Sequence, residues 1–146
     1  MIIYTIGFAG KSAQNFFELL KSDRVQRLID VRINPKGQLA GFAQQRDLPY
    51  FLSSLVEGCR YVYMPELAPT KEILKDYRID RDWVKYETCF IALMTQRRIP
   101  ETLPQNEFEI FRSCLLCSEV TSEKCHRRLV AERLAAQWPN VEIVHL

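Results

Sequence analysis

LLCSEVTSEKCHRRLVAERL, residues 115–134, decides how the chain is read. An apolar run stops at the polar triplet Cys117-Ser118-Glu119, the chain turns through Thr121 and Ser122, and a helical pattern follows until Pro139 halts it. The first turn of that helix is expected to carry Cys125, His126, Arg127 and Arg128. A short buried strand feeding a helix is half of a βαβ unit, which predicts the same alternation in the rest of the chain.

The alternation is present on both sides. Residues 2–6 form an apolar run ending at Gly7, after which Ser12 can cap a helix with Phe16, Phe17, Leu19 and Leu20 on one face. Residues 27–31 read as a second strand, and the Pro- and Gly-punctuated segment 32–41 as a loop. Asp47 is placed as the cap of a helix through Leu55, with Gly58 just beyond its end. Residues 59–64 are rich in β-branched and aromatic side chains and make a third strand. After a short helix behind Thr70, Asp80 is expected to begin a longer one through Arg97, with Trp83, Phe90, Leu93 and Met94 along one side. The two-proline segment 99–107 reads as a connection, and residues 141–146 close the chain as a fifth strand.

The expected fold is a single α/β domain over residues 1–146: a three-layer sandwich whose mostly parallel sheet has about five strands, Rossmann-like or flavodoxin-like. A chain of 146 residues is long enough for one sizeable core, and 47% hydrophobic with 26% charged residues is ordinary for a soluble domain. A net charge of +2 permits an anionic ligand without demanding nucleic acid, whose dedicated binders carry a stronger basic stripe. The start MIIYTIGFAG lacks the basic region of a signal peptide, and no apolar stretch approaches membrane-spanning length. A cytoplasmic location is therefore expected, with the five cysteines as reduced thiols rather than a disulfide framework. The oligomeric state is left open.

Parallel strands joined by right-handed crossovers bring their C-terminal ends to one edge, where open α/β sheets bind ligands. The polar strand ends Thr5-Ile6-Gly7, Asp30-Val31-Arg32 and Cys117-Ser118-Glu119 all fall there. With that edge in view, YTIGFAG, DVRINPKG, LAPTKE and the opening stretch together resemble the domain of unknown function family DUF 488. The resemblance spans nearly the whole chain and implies an α/β fold with its site at the same edge. It implies no reaction. Many members read Thr-Ile-Gly-His-Ser at the first motif; Phe8 and Ala9 stand at those last two positions here, so no role carries over to them.

Three chemistries fit the edge residues. A helix start offers unpaired N–H groups and the positive end of the helix dipole, which lower a thiol pKa, so Cys125 is the expected nucleophile. Cys117 could attack or resolve in its stead, with Glu119 or His126 moving protons. Against a functional Cys117, most free cysteines are small buried hydrophobes. A zinc-stabilised structural domain would draw on Cys117, Cys125 and His126, with Glu119 or His145. The first two lie eight residues apart (117 to 125), not in a Cys-x-x-Cys knuckle, and adjacent helical residues point about 100° apart. On that geometry no metal and no cofactor is assigned. His145 is expected to be structural and partly buried.

Binding of an anionic small molecule or nucleotide, catalytic or not, would use Thr5, Gly7, Lys11, Asp30, Arg32 and Arg127; nucleic acid is the weaker variant. GFAGKS resembles the tail of a phosphate-binding P-loop, but the required first glycine falls on Thr5, so an ATPase is excluded. Arg128 is assigned to a surface pair with Glu132, four residues on. Tyr4, Tyr61, Tyr63, Tyr77 and Tyr86 are available to stack on a base, although burial in strands and helices explains most of them.

Overall fold

The strand read from the opening stretch is β4 (Ser113–Cys117), buried along its whole length at the centre of a five-stranded sheet. The computed structural model describes residues 1–37 and 40–146. Around β4 lie β1 (Ile2–Gly7), β2 (Arg27–Asp30), β3 (Arg60–Tyr63) and β5 (Glu142–His145), in the order β3-β2-β4-β1-β5. Every neighbouring pair is parallel. In both the Rossmann and flavodoxin orders β1 lies beside β2; here β4 separates them. The sheet is thus α/β as expected, with its own strand order.

Six helices complete the layers: α1 (Ala13–Ser22), α2 (Leu48–Leu55), α3 (Lys71–Asp80), α4 (Trp83–Gln96), α5 (Gln105–Ile110) and α6 (His126–Gln137). Alternate strand side chains point to opposite faces, so each central strand contributes to two cores. Ile3, Ile29 and Leu115 meet Phe90, Met94, Leu129 and Leu134 of α4 and α6. Tyr4, Ile6, Leu28 and Leu116 meet Phe16, Leu20 and Leu52 of α1 and α2. Phe16 and Phe90 are fully buried, one in each core, and each contributes roughly 2–3 kcal/mol by leaving water.

The local signals explain where the helices start. The Ser12 hydroxyl accepts the Asn15 amide at 3.1 Å, and the Thr70 hydroxyl accepts that of Ile73 at 3.2 Å. Gly58, at φ +74°, ends the α2 turn as expected. Asp47 does not cap: its own backbone is already helical, and Pro49 sets the first turn instead. The long helix begins at Trp83 rather than Asp80, because Asp82 takes the cap by accepting the Lys85 amide at 3.0 Å. Asp80 is the last residue of α3. The two-proline connection is shorter than expected, since α5 forms behind Pro104 and buries Phe108 against Trp138 at 5.1 Å. The loop expected over residues 32–41 includes Gln38 and Leu39, which lie outside the described residues.

The chain leaving β2 runs to α2 on one face, and the chain leaving β4 runs to α6 on the other. A cleft of about 290 Å³ opens between these two exits, at the C-terminal edge of the sheet. Among the described residues no helix is long and apolar enough to cross a membrane.

Candidate functional site

The floor of the cleft is built where β4 ends. Cys117 pairs with Gly7 in the sheet register, and the loop after it folds back over β1. The Phe8 amide donates to the Cys117 carbonyl at 3.3 Å, and the Ala9 amide to that of Ser118 at 3.1 Å. Gly7 is required for this approach: an added Cβ would overlap the Glu119 carbonyl oxygen and stand 2.6 Å from Arg127 Nη1. Arg127 pins the same loop, donating from Nη1 to the Glu119 carbonyl at 2.8 Å and from Nη2 to that of Val120 at 3.5 Å.

Cys125 is not in the first turn of α6 but at its N-cap, with extended backbone (φ −140°, ψ 137°). That corrects the expectation that Cys125 and His126 diverge by a helical step. The extended cap turns the thiol back toward Cys117, and the two sulfurs and one His126 ring nitrogen all lie within 4.8 Å of one another. His126 Nε2 is 2.8 Å from the Val31 carbonyl, which can only accept, so Nε2 carries a proton. Nδ1 then faces Cys117 Sγ at 3.6 Å. Arg127 Nη1 approaches Cys125 Sγ at 3.7 Å.

These contacts divide the protons unequally. A hydrogen bond from Cys125 to Cys117, helped by the adjacent His126, holds the Cys117 thiol well below its usual range despite full burial. The same bond, with burial and the Cys117 charge, pushes Cys125 up. Burial alone would lower His126, but the negative charge on Cys117 and the bond to it outweigh burial and raise it. The downward shift expected at Cys125 falls on Cys117 instead, because a direct S–H donor outweighs the advantage of the helix start.

All four residues read as catalytic, Cys117, Glu119, Cys125 and His126, line the cleft. Of the expected ligand-binding set only Arg32 does, and its guanidinium is already engaged. Its Nε and Nη2 donate to Asp30 at 2.8 and 2.6 Å, and Nη2 also donates to the Ala43 carbonyl at 2.7 Å. Asp30 is fully buried and accepts from the Tyr61 hydroxyl at 2.7 Å as well, so this pair anchors the loop after β2. Phe8 packs beneath Arg32, 5.4 Å from its guanidinium carbon. Thr5 is buried and its hydroxyl meets His145 Nδ1 of β5 at 2.6 Å, although the histidine, expected to be partly buried, is exposed. Lys11 lies outside the lining, its ammonium disfavoured by partial burial and by Arg127. Arg127 is buried behind the loop it pins, also outside the lining. Arg128 pairs with Glu132 at 2.9 Å, as its i,i+4 spacing suggested.

Of the tyrosines expected to be available for stacking, Tyr77 and Tyr86 line the walls, together with residues outside the expected site. Trp83 and Tyr86 stack at 5.0 Å and Tyr77 leans on both, making one aromatic wall. Tyr86 continues through Phe90 to the edge of the His126 ring. Arg78 and Lys124 contribute cations to the lining, and Lys71 and Lys75 extend the basic row of α3 along an adjoining depression. Among the described residues none of these four makes an ion pair. Trp83 was legible as one side of the long helix with Phe90, Leu93 and Met94, but the point where that side leaves the core was not. Arg78 and Lys124 carry no local signal.

Among known protein families, the one described as "Domain of unknown function DUF488" matches residues 12–134. That span includes Asp30, Arg32, Cys117, Cys125, His126 and Arg127, and leaves β1 with Gly7, Phe8 and Ala9 outside it. No curated protein and no solved structure matches the chain.

Proposed function

The chain belongs to the DUF488 family, whose description carries no activity, and from its cleft we propose an enzyme that uses Cys117 as nucleophile on an anionic, nucleotide-like small molecule. The observation that carries this reading is the Cys117 Sγ–His126 Nδ1 contact of 3.6 Å on the floor of an open cleft with cations at its rim. A thiol beside a fixed imidazole is the usual arrangement for an activated sulfur nucleophile. The sulfur would bond to an electrophilic centre as the bond to the leaving group breaks, and His126 would return the thiol proton to that leaving group. Cys125 stabilises the attacking thiolate by donating its S–H. Glu119, exposed on the lining, is the second proton carrier within the cleft. Arg78 and Lys124 attract the substrate's negative charge, and Trp83 offers a face for a planar group.

Competitive alkylation tests this on protein dialysed against a chelator. Iodoacetate and iodoacetamide are offered together, and the sites are mapped by mass spectrometry. Cys117 should react ahead of the exposed Cys89, and should favour iodoacetate at low salt relative to a free thiol. That preference should fade as salt screens the rim. Cys59 and Cys114 serve as internal controls: both are buried, and burial pushes the Cys59 thiol up to about 11. Cys117 reacting no faster than Cys89 would sink the nucleophile.

A non-catalytic nucleotide-binding module is the second reading, favoured by the Trp83–Tyr86 stack and the basic row of α3. It expects nucleotide binding to survive Cys117→Ser with no chemistry lost.

A further inference from the structure

The three side chains on the cleft floor are also a donor set. We propose that Cys117, Cys125 and His126 bind one thiophilic divalent cation of the zinc type, and that the bound metal blocks the thiol chemistry above. The block rests on the proposed function; the site itself does not.

Four observations carry the metal site. The first is spacing. Zinc bonds of about 2.0–2.3 Å in a tetrahedron put neighbouring N and S donors roughly 3.4–3.8 Å apart. Cys117 Sγ and His126 Nδ1 already stand at 3.6 Å, and Cys125 Sγ completes a triangle with every side within 4.8 Å. Small side-chain rotations would close it on an ion.

The second is the orientation of the imidazole. Metal-bound histidines almost always donate their other ring N–H to a carbonyl or carboxylate, which fixes the tautomer. The Val31 carbonyl does this for His126 Nε2 and leaves Nδ1 aimed at the sulfurs. The third is charge. Two thiolates and a neutral imidazole carry −2, matching a divalent cation, and Arg127 Nη1 beside Cys125 Sγ supplies the outer donor that sulfur ligands commonly accept.

The fourth is access. All three donors are buried, yet all three line the cleft, so a fourth coordination position would open into it. Three protein ligands with one open position distinguish reactive zinc sites from closed structural ones. Two sulfurs and a nitrogen, with no carboxylate in the set, exclude magnesium and calcium. A metal there would occupy the Cys117 lone pair that a substrate would otherwise meet.

The test uses the whole, chelator-stripped protein and two probes, Zn2+ and Co2+. One Co2+ per chain should bind with an intense near-ultraviolet sulfur-to-cobalt band, displaced by Zn2+. Cys117→Ser and Cys125→Ser should each weaken binding at least tenfold, while Cys89→Ser leaves it unchanged. Because a variant at the floor can disturb folding, thiol mapping of the unaltered protein supplies a second readout. Stoichiometric Zn2+ should protect Cys117 and Cys125 from iodoacetamide while Cys89 stays reactive.

Co2+ that binds without the sulfur band, or Zn2+ that protects neither thiol, overturns the metal site. The band without rapid alkylation of stripped protein keeps the site and removes the nucleophile. Rapid alkylation without the band does the reverse.

Discussion

Arg27 and Arg127 are both buried guanidiniums, at opposite edges of one sheet, and they are treated in opposite ways. Arg27 opens β2 at the N-terminal edge, fully buried, with Glu107 at 3.0 Å and the Phe108 ring beneath it at 4.9 Å. That pair is electrostatic rather than directional, since its nitrogens make no well-aligned hydrogen bond. Arg127, at the C-terminal edge, is 1% exposed and has no carboxylate within 4.0 Å among the described residues. Its neighbours are the carbonyls of Glu119 and Val120 and the sulfur of Cys125, and its Nε has no partner. A buried charge without a counter-charge is strongly disfavoured. Two carbonyls and the Cys125 sulfur face the Arg127 guanidinium where a carboxylate would otherwise stand. One edge of the sheet pairs its buried cation with a carboxylate, and the other sets its cation against carbonyls and a sulfur.

Three substitutions separate the two edges. The largest effect is expected from Gly7→Ala, which drives a methyl into the Glu119 carbonyl and the Arg127 guanidinium. Overpacking of this kind should cost about 3 kcal/mol in urea unfolding and slow Cys117 alkylation together. Glu107→Gln comes next. It strands Arg27, and the loss should be about 2 kcal/mol, below that of a fully buried pair because Glu107 is 40% exposed. Cys117 reactivity should not change, and any change there would break the independence of the edges.

The smallest stability effect belongs to Arg127→Met. Removing an unpaired buried charge offsets the lost hydrogen bonds, so unfolding should shift by less than about 1 kcal/mol. Alkylation of Cys117 should fall all the same. A stability loss equal to that of Glu107→Gln would mean that Arg127 is an ordinary structural cation.

The two edges also differ in how much of them the sequence discloses. Parallel strands buried on both faces read as continuous apolar runs, so the βα alternation and the ligand edge were legible from residues 2–6, 27–31 and 113–117. The position of β4 between β1 and β2 was not, since strand order depends on packing across long separations. Cys117, Cys125 and His126 were visible as a cluster. The direction of proton sharing between them was hidden, because it turns on the extended backbone of Cys125 at the helix cap. Arg32, Asp30 and Gly7 were correctly placed at the edge as strand ends, yet their donors and space are consumed in building it. Asp82 won the cap from Asp80 by two residues, a choice that local propensity alone does not make.

The two tryptophans divide along the same line. Trp83 is half-buried on the cleft wall, stacked on Tyr86 and with Arg128 5.9 Å from its ring. Trp138 is 7% exposed and packed against Phe108 in the core on the α6 side. The protein thus carries two optical channels of its own: emission from Trp83 should report a ligand that enters the cleft, and emission from Trp138 should report the integrity of the core.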